Sequence, residues 1–300
     1  MNWEVAHRAA SIAAVQAHRD LGVDRSGYVE VYAALRTAGV VGLARPMERL
    51  FGIYCSPRDD GPAVLLNAKL DIIAQRHTAA HELGHHRLRH GTAYDEELDR
   101  TARWGDGSWP DEEKLAEAFA AWFLMPLPAV QAALGRLGVT RPLRPEHAYQ
   151  VARWLGTSYA GTVNHLHRLQ LLSREEKTSW LKVKPATIKE TLAGGPVDGR
   201  AHVHLIGSTA DGATVRVDAG DLIVLEGSGA YFETLPSCLS PVDSPNGQLF
   251  WGEAAPAVAE VTDVLTGMAE VTARLPGAAV VEFIVARQSP RAGRQDLWPI

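Results

Sequence analysis

Apolar positions recur at helical spacing from Trp3 to Arg19, and a second helical stretch, capped near Asp24 or Ser26, is expected to run to about Thr37. Short β-type runs follow at Val40–Ala44, Leu50–Tyr54 and Val64–Asn67, separated by Arg45-Pro46 and by the turn-forming Ser56-Pro-Arg-Asp-Asp-Gly-Pro62. The pattern turns helical again from Lys69 to about His90. A polar loop containing Gly and Trp spans Tyr94–Pro110, and a helix with Asp111 as N-cap is expected to reach Leu124, with Pro126 as a stop. Helical segments continue through Ala129–Leu137, Pro145–Leu155, Tyr159–Leu169 and Arg174–Leu181. At Ala193-Gly-Gly-Pro196 strong breakers interrupt the chain and its character changes. Alternating or β-branched runs follow at Ala201–Ile206, Thr214–Val217, Leu222–Leu225, Tyr231–Thr234, Gln248–Trp251, Ala257–Val264, Ala269–Leu275 and Val280–Arg287.

This order predicts an α+β chain in three parts: residues 1–140, a helical region at 141–193, and a β-rich domain at 198–300. A chain of 300 residues with 22 % charged and 46 % hydrophobic positions has a globular composition, which excludes disordered, collagen-like and coiled-coil classes. No apolar run is long enough to span a bilayer, so no membrane partner is expected. The first twenty residues carry acid and histidine where a secretory signal would be basic and then apolar, so a cytoplasmic address is expected. Cys55 and Cys238 are the two cysteines; they exclude a disulfide framework and a thiolate-only metal site. Any metal must be held by histidine and carboxylate. The net charge of -5 is unevenly spread, at -3 over residues 1–140, +5 over 141–190 and -7 over 201–300.

The chemistry concentrates in Ala80-His81-Glu82-Leu83-Gly84-His85-His86. Histidines at i and i+4 of a helix lie on one face, one turn apart, so both imidazoles reach a single ion, while the Glu at i+1 can be directed at a water. His81-Glu82-x-x-His85 is the zincin arrangement, and it needs a third ligand. His90 does not fit the metzincin pattern: it lies nine residues after His81 rather than ten, and Leu88 stands at the glycine position. His77, His81 and His85 span ~12 Å of helix axis and cannot all converge on one ion, and His86 is rotated by ~100° from His85. The remaining option is a carboxylate on the following helix. In zincins of the Glu-ligand type the third ligand precedes, by four residues, an Asp or Asn that hydrogen-bonds a ligand histidine, and Glu113 and Glu117 have that spacing. The alternative is that Asp111, Glu112 and Glu113 only complement a helix dipole.

The block His77-Thr-Ala-Ala-His81-Glu-Leu-Gly-His85 is preceded by Leu65-Leu-Asn67 and followed by Glu113-x-x-Ala-Glu117-Ala-Phe-Ala-Ala-Trp-Phe-Leu-Met-Pro126. Together these resemble the ImmA/IrrE family of bacterial zinc metallopeptidases over about residues 30–175. Glu117 departs from the pattern, standing where the family usually has Asn. The resemblance implies a zincin-like domain over 1–140 holding Zn²⁺ through His81, His85 and Glu113, with Glu82 as general base and Glu117 orienting a ligand. Leu65, Leu66 and Asn67 are expected to form the edge strand on which an extended peptide pairs. His90 and Tyr94 are nearby candidates for stabilising an oxyanion.

Residues 145–173 read as helix, Gly-containing turn, helix, with Ala152 and Gly156 where a helix-turn-helix wants small residues. With the local +5 balance this could bring Asn164, His165 and Arg168 to a DNA groove. Packing or substrate docking is favoured over direct DNA readout because the chain as a whole is acidic. The last hundred residues are similar to an immunoglobulin-type sandwich of the chagasin inhibitor kind, without its Thr-Gly-Tyr-x-Trp signature; in other family members this domain resembles a GAF sensor fold. It is expected to regulate or to recognise. The function that follows is a zinc endopeptidase cutting a protein, which the resemblance identifies as a helix-turn-helix transcriptional repressor, to trigger a stress, phage or mobile-element response. A non-proteolytic zinc-containing sensor or antitoxin-like protein and a hydrolase of small amides are the alternatives.

Overall fold

In the first helix of the computed structural model, α1 (Trp3–Asp20), alanines at positions 6, 10, 14 and 17 form a stripe that is fully buried. Small side chains let α1 lie close against the later helix α4 (Asp111–Leu124), where His18 stacks on Phe123 and bonds its carbonyl at 2.9 Å. The structure describes residues 1–96, 109–242, 256–262 and 267–287. These fall into two compact units, one of Met1–Ala129 with Leu155–Gly161, the other of Val130–Trp154 with Thr162–Gln288.

In the first unit α2 covers Val31–Thr37. It begins later than the capping signal suggested, because the Asp24 carboxylate closes a local turn by accepting from the Ser26 N–H and hydroxyl. Strands β1 (Val41–Arg45), β2 (Leu50–Cys55) and β3 (Ala63–Asn67) are followed by α3 (Ile72–Leu88) and β4 (Ala93–Glu96). The sheet order is β1-β3-β2-β4, with β1 parallel to β3 and the other pairs antiparallel.

This order corrects the expected peptide-binding edge. Leu65, Leu66 and Asn67 lie on β3, which is paired on both sides, so its backbone groups are already used. Asn67 is a structural tie: its amide donates to the carbonyls of Met47 and Leu50, and its oxygen accepts from the N–H groups of Met47 and Lys69. Interior and edge strands share one alternation of side chains, so the sequence pattern does not separate them.

Asp71 caps α3 by accepting from the Ala74 N–H at 2.8 Å. Helix α4 spans Asp111–Leu124; its N-cap is Pro110, and Asp111 is the first helical residue. α3 and α4 cross closely at Gly84, where a Cβ would lie 3.1 Å from the Phe119 ring and 3.2 Å from the Ala116 Cα. Helix α5 (Leu127–Gly135) follows. Arg76 of α3 is wholly buried and donates to the carbonyls of Val29 and Gly156. At Gly156, φ is +64° and a Cβ would meet Tyr28 at 2.5 Å, so glycine is required there.

The second unit contains α6 (Pro145–Leu155), most of α7 (Tyr159–Arg168), α8 (Arg174–Trp180) and α9 (Pro185–Ala193). α9 was not anticipated, although Pro185 occupies a first-turn position that tolerates proline. His165 and Arg153 are both buried, with the Arg153 guanidinium over the Tyr149 ring. The β-rich part has eight described strands: β5 (Val203–Ile206), β6 (Thr214–Val217), β7 (Leu222–Leu225), β8 (Tyr231–Thr234), β9 (Leu239–Pro241), β10 (Val258–Val261), β11 (Met268–Arg274) and β12 (Val280–Arg287). They form two four-stranded sheets, β5-β7-β10-β9 and β6-β12-β11-β8, that share one apolar core around Ile223, Val261, Phe283 and Val285. The run Gln248–Trp251 lies outside the described residues. On β5 the Val203 N–H donates to Tyr149, and the Val203 carbonyl and Leu205 N–H are taken by the Gln150 amide. Side chains of α6 thus stand in for a neighbouring strand at this sheet edge. Among the described residues no single helix is long and apolar enough to cross a membrane.

Candidate metal centre

Helical periodicity puts His81 and His85 on the same face of α3, and the crossing at Gly84 brings the first turn of α4 over them. His81 Nε2 lies 3.0 Å from His85 Nε2 and 3.1 Å from Glu113 Oε2, and His85 Nε2 lies 3.4 Å from Glu113 Oε1. One ligand atom from each of the three residues falls within 4.8 Å of the others. Two donors each 2.0–2.1 Å from a tetrahedral ion stand roughly 3.3–3.4 Å apart, so these separations fit a zinc ion. The donor chemistry fits as well, with two imidazoles and one carboxylate leaving a fourth position open. Burial alone would push the Glu113 carboxyl up; the hydrogen bonds and charges of His81 and His85 outweigh it and hold the group well below the usual carboxylate range.

Glu82 is fully buried against β2. Gly52 makes this possible, since a Cβ there would come within 2.5 Å of Glu82 Oε1 and 2.6 Å of the Thr78 methyl. Glu117 Oε2 lies 2.9 Å from His77 Nε2 and 3.6 Å from His81 Nδ1. It therefore serves two imidazoles, and His77 is its nearer partner. His86 Nδ1 lies 3.1 Å from the Tyr54 hydroxyl, away from the cluster. His90 Nδ1 lies 3.0 Å from His85 Nδ1. Burial, and then the charge of His85, push the His90 imidazole down to about 4. The side chain of Tyr94 lies outside the described residues.

Gly52 and the contact of His90 with His85 were not legible beforehand. Each depends on a neighbour that is remote in sequence or on a reversal of the chain. Leu65, Leu66 and Asn67 lie on the doubly paired β3, not on a sheet edge.

A histidine pair one turn apart, crossed by a helix that presents a carboxylate beside a buried glutamate, is the arrangement of a metallopeptidase. Residues 47–160 match the family model Peptidase_M78, described as the IrrE N-terminal-like domain. That stretch, which holds the His81, His85 and Glu113 cluster, is therefore similar to the IrrE N-terminal-like domain of this peptidase family. No curated protein matches the chain. A solved structure of the cysteine protease inhibitor EhICP2 from Entamoeba histolytica overlaps 30 % of this chain and 98 % of its own at 13 % identity, with a TM-score of 0.23. So slight a likeness assigns no fold.

Proposed function

We propose that this protein is a zinc-dependent endopeptidase that cuts a protein substrate at a specific site. The observation that carries the reading is the convergence of His81, His85 and Glu113 beside the buried Glu82. His81, His85 and Glu113 would hold the ion. When bound, zinc supplies Lewis-acid polarisation of the scissile carbonyl and lowers the pKa of water towards ~7. Glu82 takes the proton of the attacking water and delivers it to the leaving amine. Its position against Gly52 limits where the carboxylate can point.

An extended substrate needs a free sheet edge. β4 is the terminal strand of the described sheet and pairs with β2, which crosses Glu82. An extended peptide adds to β4 by main-chain hydrogen bonding. The substrate is a helix-turn-helix transcriptional repressor, and its removal triggers a stress, phage or mobile-element response; resemblance to the ImmA/IrrE family supports this part. The helical region at 141–193 docks the substrate rather than reading DNA, a reading supported by the burial of His165 and Arg153. The β-rich unit recognises or regulates.

The test incubates the full chain and its Glu82→Gln variant with the repressor encoded beside the gene, with and without chelator. Expected is cleavage by the unmodified chain alone, abolished by chelator, with zinc retained by the variant. Zinc binding without cleavage would replace this reading with a non-proteolytic sensor.

A further inference from the structure

The chain reverses at the end of α3. Arg89 caps the helix in the left-handed region at φ 60°, and its N–H returns to the carbonyls of His85 and His86. The His90 N–H then bonds the His85 carbonyl at 3.0 Å. This reversal lays the His90 ring edge-on to His85, with centroids 5.0 Å apart at 74° and the two Nδ1 atoms at 3.0 Å. On another side the Tyr54 ring is stacked at 6.2 Å and 20°.

Two imidazole nitrogens at this separation share one proton, so one ring donates and the other accepts. A nitrogen that binds a cation must keep its lone pair. The other nitrogen of His85, Nε2, faces His81 and Glu113, so a metal-binding His85 carries its proton on Nδ1, directed at His90. The reverse arrangement, with His90 donating, moves the His85 proton to Nε2 and blocks the ion. The two ligand histidines are thus supported differently. His81 Nδ1 faces a carboxylate, Glu117, while His85 Nδ1 faces a second imidazole, His90.

We propose that His90 is the positioning residue of His85: its Nδ1 accepts the His85 Nδ1–H, selects the tautomer that leaves Nε2 available to a metal, and fixes the ring plane. His85 and His90 are 1 % and 8 % exposed, so water does not readily replace a lost acceptor. The assignment rests on the reading of His81, His85 and Glu113 as metal ligands. It also gives His90 a role other than that of a third ligand, since its Nδ1 is committed to His85.

Zinc affinity of the full chain, His90→Phe and His90→Asn, measured by competition with a chromogenic chelator, tests this alongside the melting temperature of each metal-free protein. Phenylalanine keeps a ring and removes the acceptor; asparagine offers an oxygen near the Nδ1 position. His90→Phe is expected to bind zinc about 10–100-fold more weakly and His90→Asn within about threefold of the unmodified chain. Equal affinity in His90→Phe, or an equal loss in both variants, overturns the proposal. Long-range ¹H–¹⁵N correlation on the unmodified zinc-loaded chain requires no variant to fold; a His85 proton on Nδ1 is expected, and one on Nε2 overturns the assignment. Failure of the unmodified chain to bind zinc would instead overturn the metal reading itself, and this proposal with it.

Discussion

Among the described residues, each unit contains a group of two histidines and one carboxylate, and the two groups do opposite things. In the first unit His81, His85 and Glu113 aim their donor atoms at a common point. In the second, His202 and His204 lie beside Asp221 on the β-rich sheet. There Asp221 Oδ1 accepts the His202 N–H at 2.8 Å, and Oδ2 accepts the Asp218 N–H at 2.9 Å and faces His204 Nε2 at 3.2 Å. Nearby, Lys189 is tied to the carbonyls of Asp198, Gly199 and Ala201. Residue types are therefore a poor guide to a metal site. What separates the two groups is which lone pairs the backbone has already taken: Glu113 oxygens face imidazole nitrogens, whereas Asp221 oxygens accept main-chain N–H groups.

Removing the carboxylate is the strongest way to break this comparison. Glu113→Gln should abolish stoichiometric zinc binding, measured by metal analysis of the dialysed protein, and lower cleavage by at least about 10³-fold. Asp221→Asn should leave zinc content unchanged. It leaves a buried N–H group facing an amide donor, which costs about 1–3 kcal/mol, and calorimetry should show a fall in melting temperature of roughly 4–10 °C. Zinc loss in Asp221→Asn, or retention in Glu113→Gln, would erase the distinction.

Gly52→Ala probes the base that the second group lacks. The added methyl displaces the Glu82 carboxylate, so kcat/KM should fall by about 10²-fold with zinc retained. Unchanged kcat/KM would show that the position of Glu82 is not set by β2.

The second group should reveal itself through pH. Burial, and then Arg153, push His202 from its ordinary value of 6.5 down to about 3, against the opposing effect of Asp221. The folded state thus favours neutral His202. Its contribution is complete above pH 6.5 and is lost as pH falls through the window towards 3, because the unfolded chain takes up the proton first. Chemical denaturation across this range should show a shallower loss of stability in His202→Asn than in the unmodified chain; parallel curves would refute it. The smallest effect is expected at Arg89, where glycine relieves a left-handed conformation and should raise stability by about 0.5–1 kcal/mol with zinc affinity unchanged.

Much of the first group was legible because its spacings are local. The i, i+4 histidines, the adjacent glutamate and the Glu113–Glu117 pair each depend on one helix having 3.6 residues per turn. The β-rich unit was legible as alternating runs, but β9, three residues ending in Pro241, is too short to show a period, and α9 begins with a proline that reads as a breaker. Likewise His90 was visible only as a misplaced ligand, because its contact requires the reversal at Arg89.

The sequence by itself determined which residues could bind a metal, where the helices that carry them run, and that cysteine could not take part. These follow from residue chemistry and short-range geometry. Only the tertiary structure decided that β3 is an interior strand, that Glu113 reaches His81 across the close approach at Gly84, and that Asp221 is committed to the backbone. Strand order, helix crossing and the use of lone pairs all depend on partners distant in the chain, and no local pattern records them.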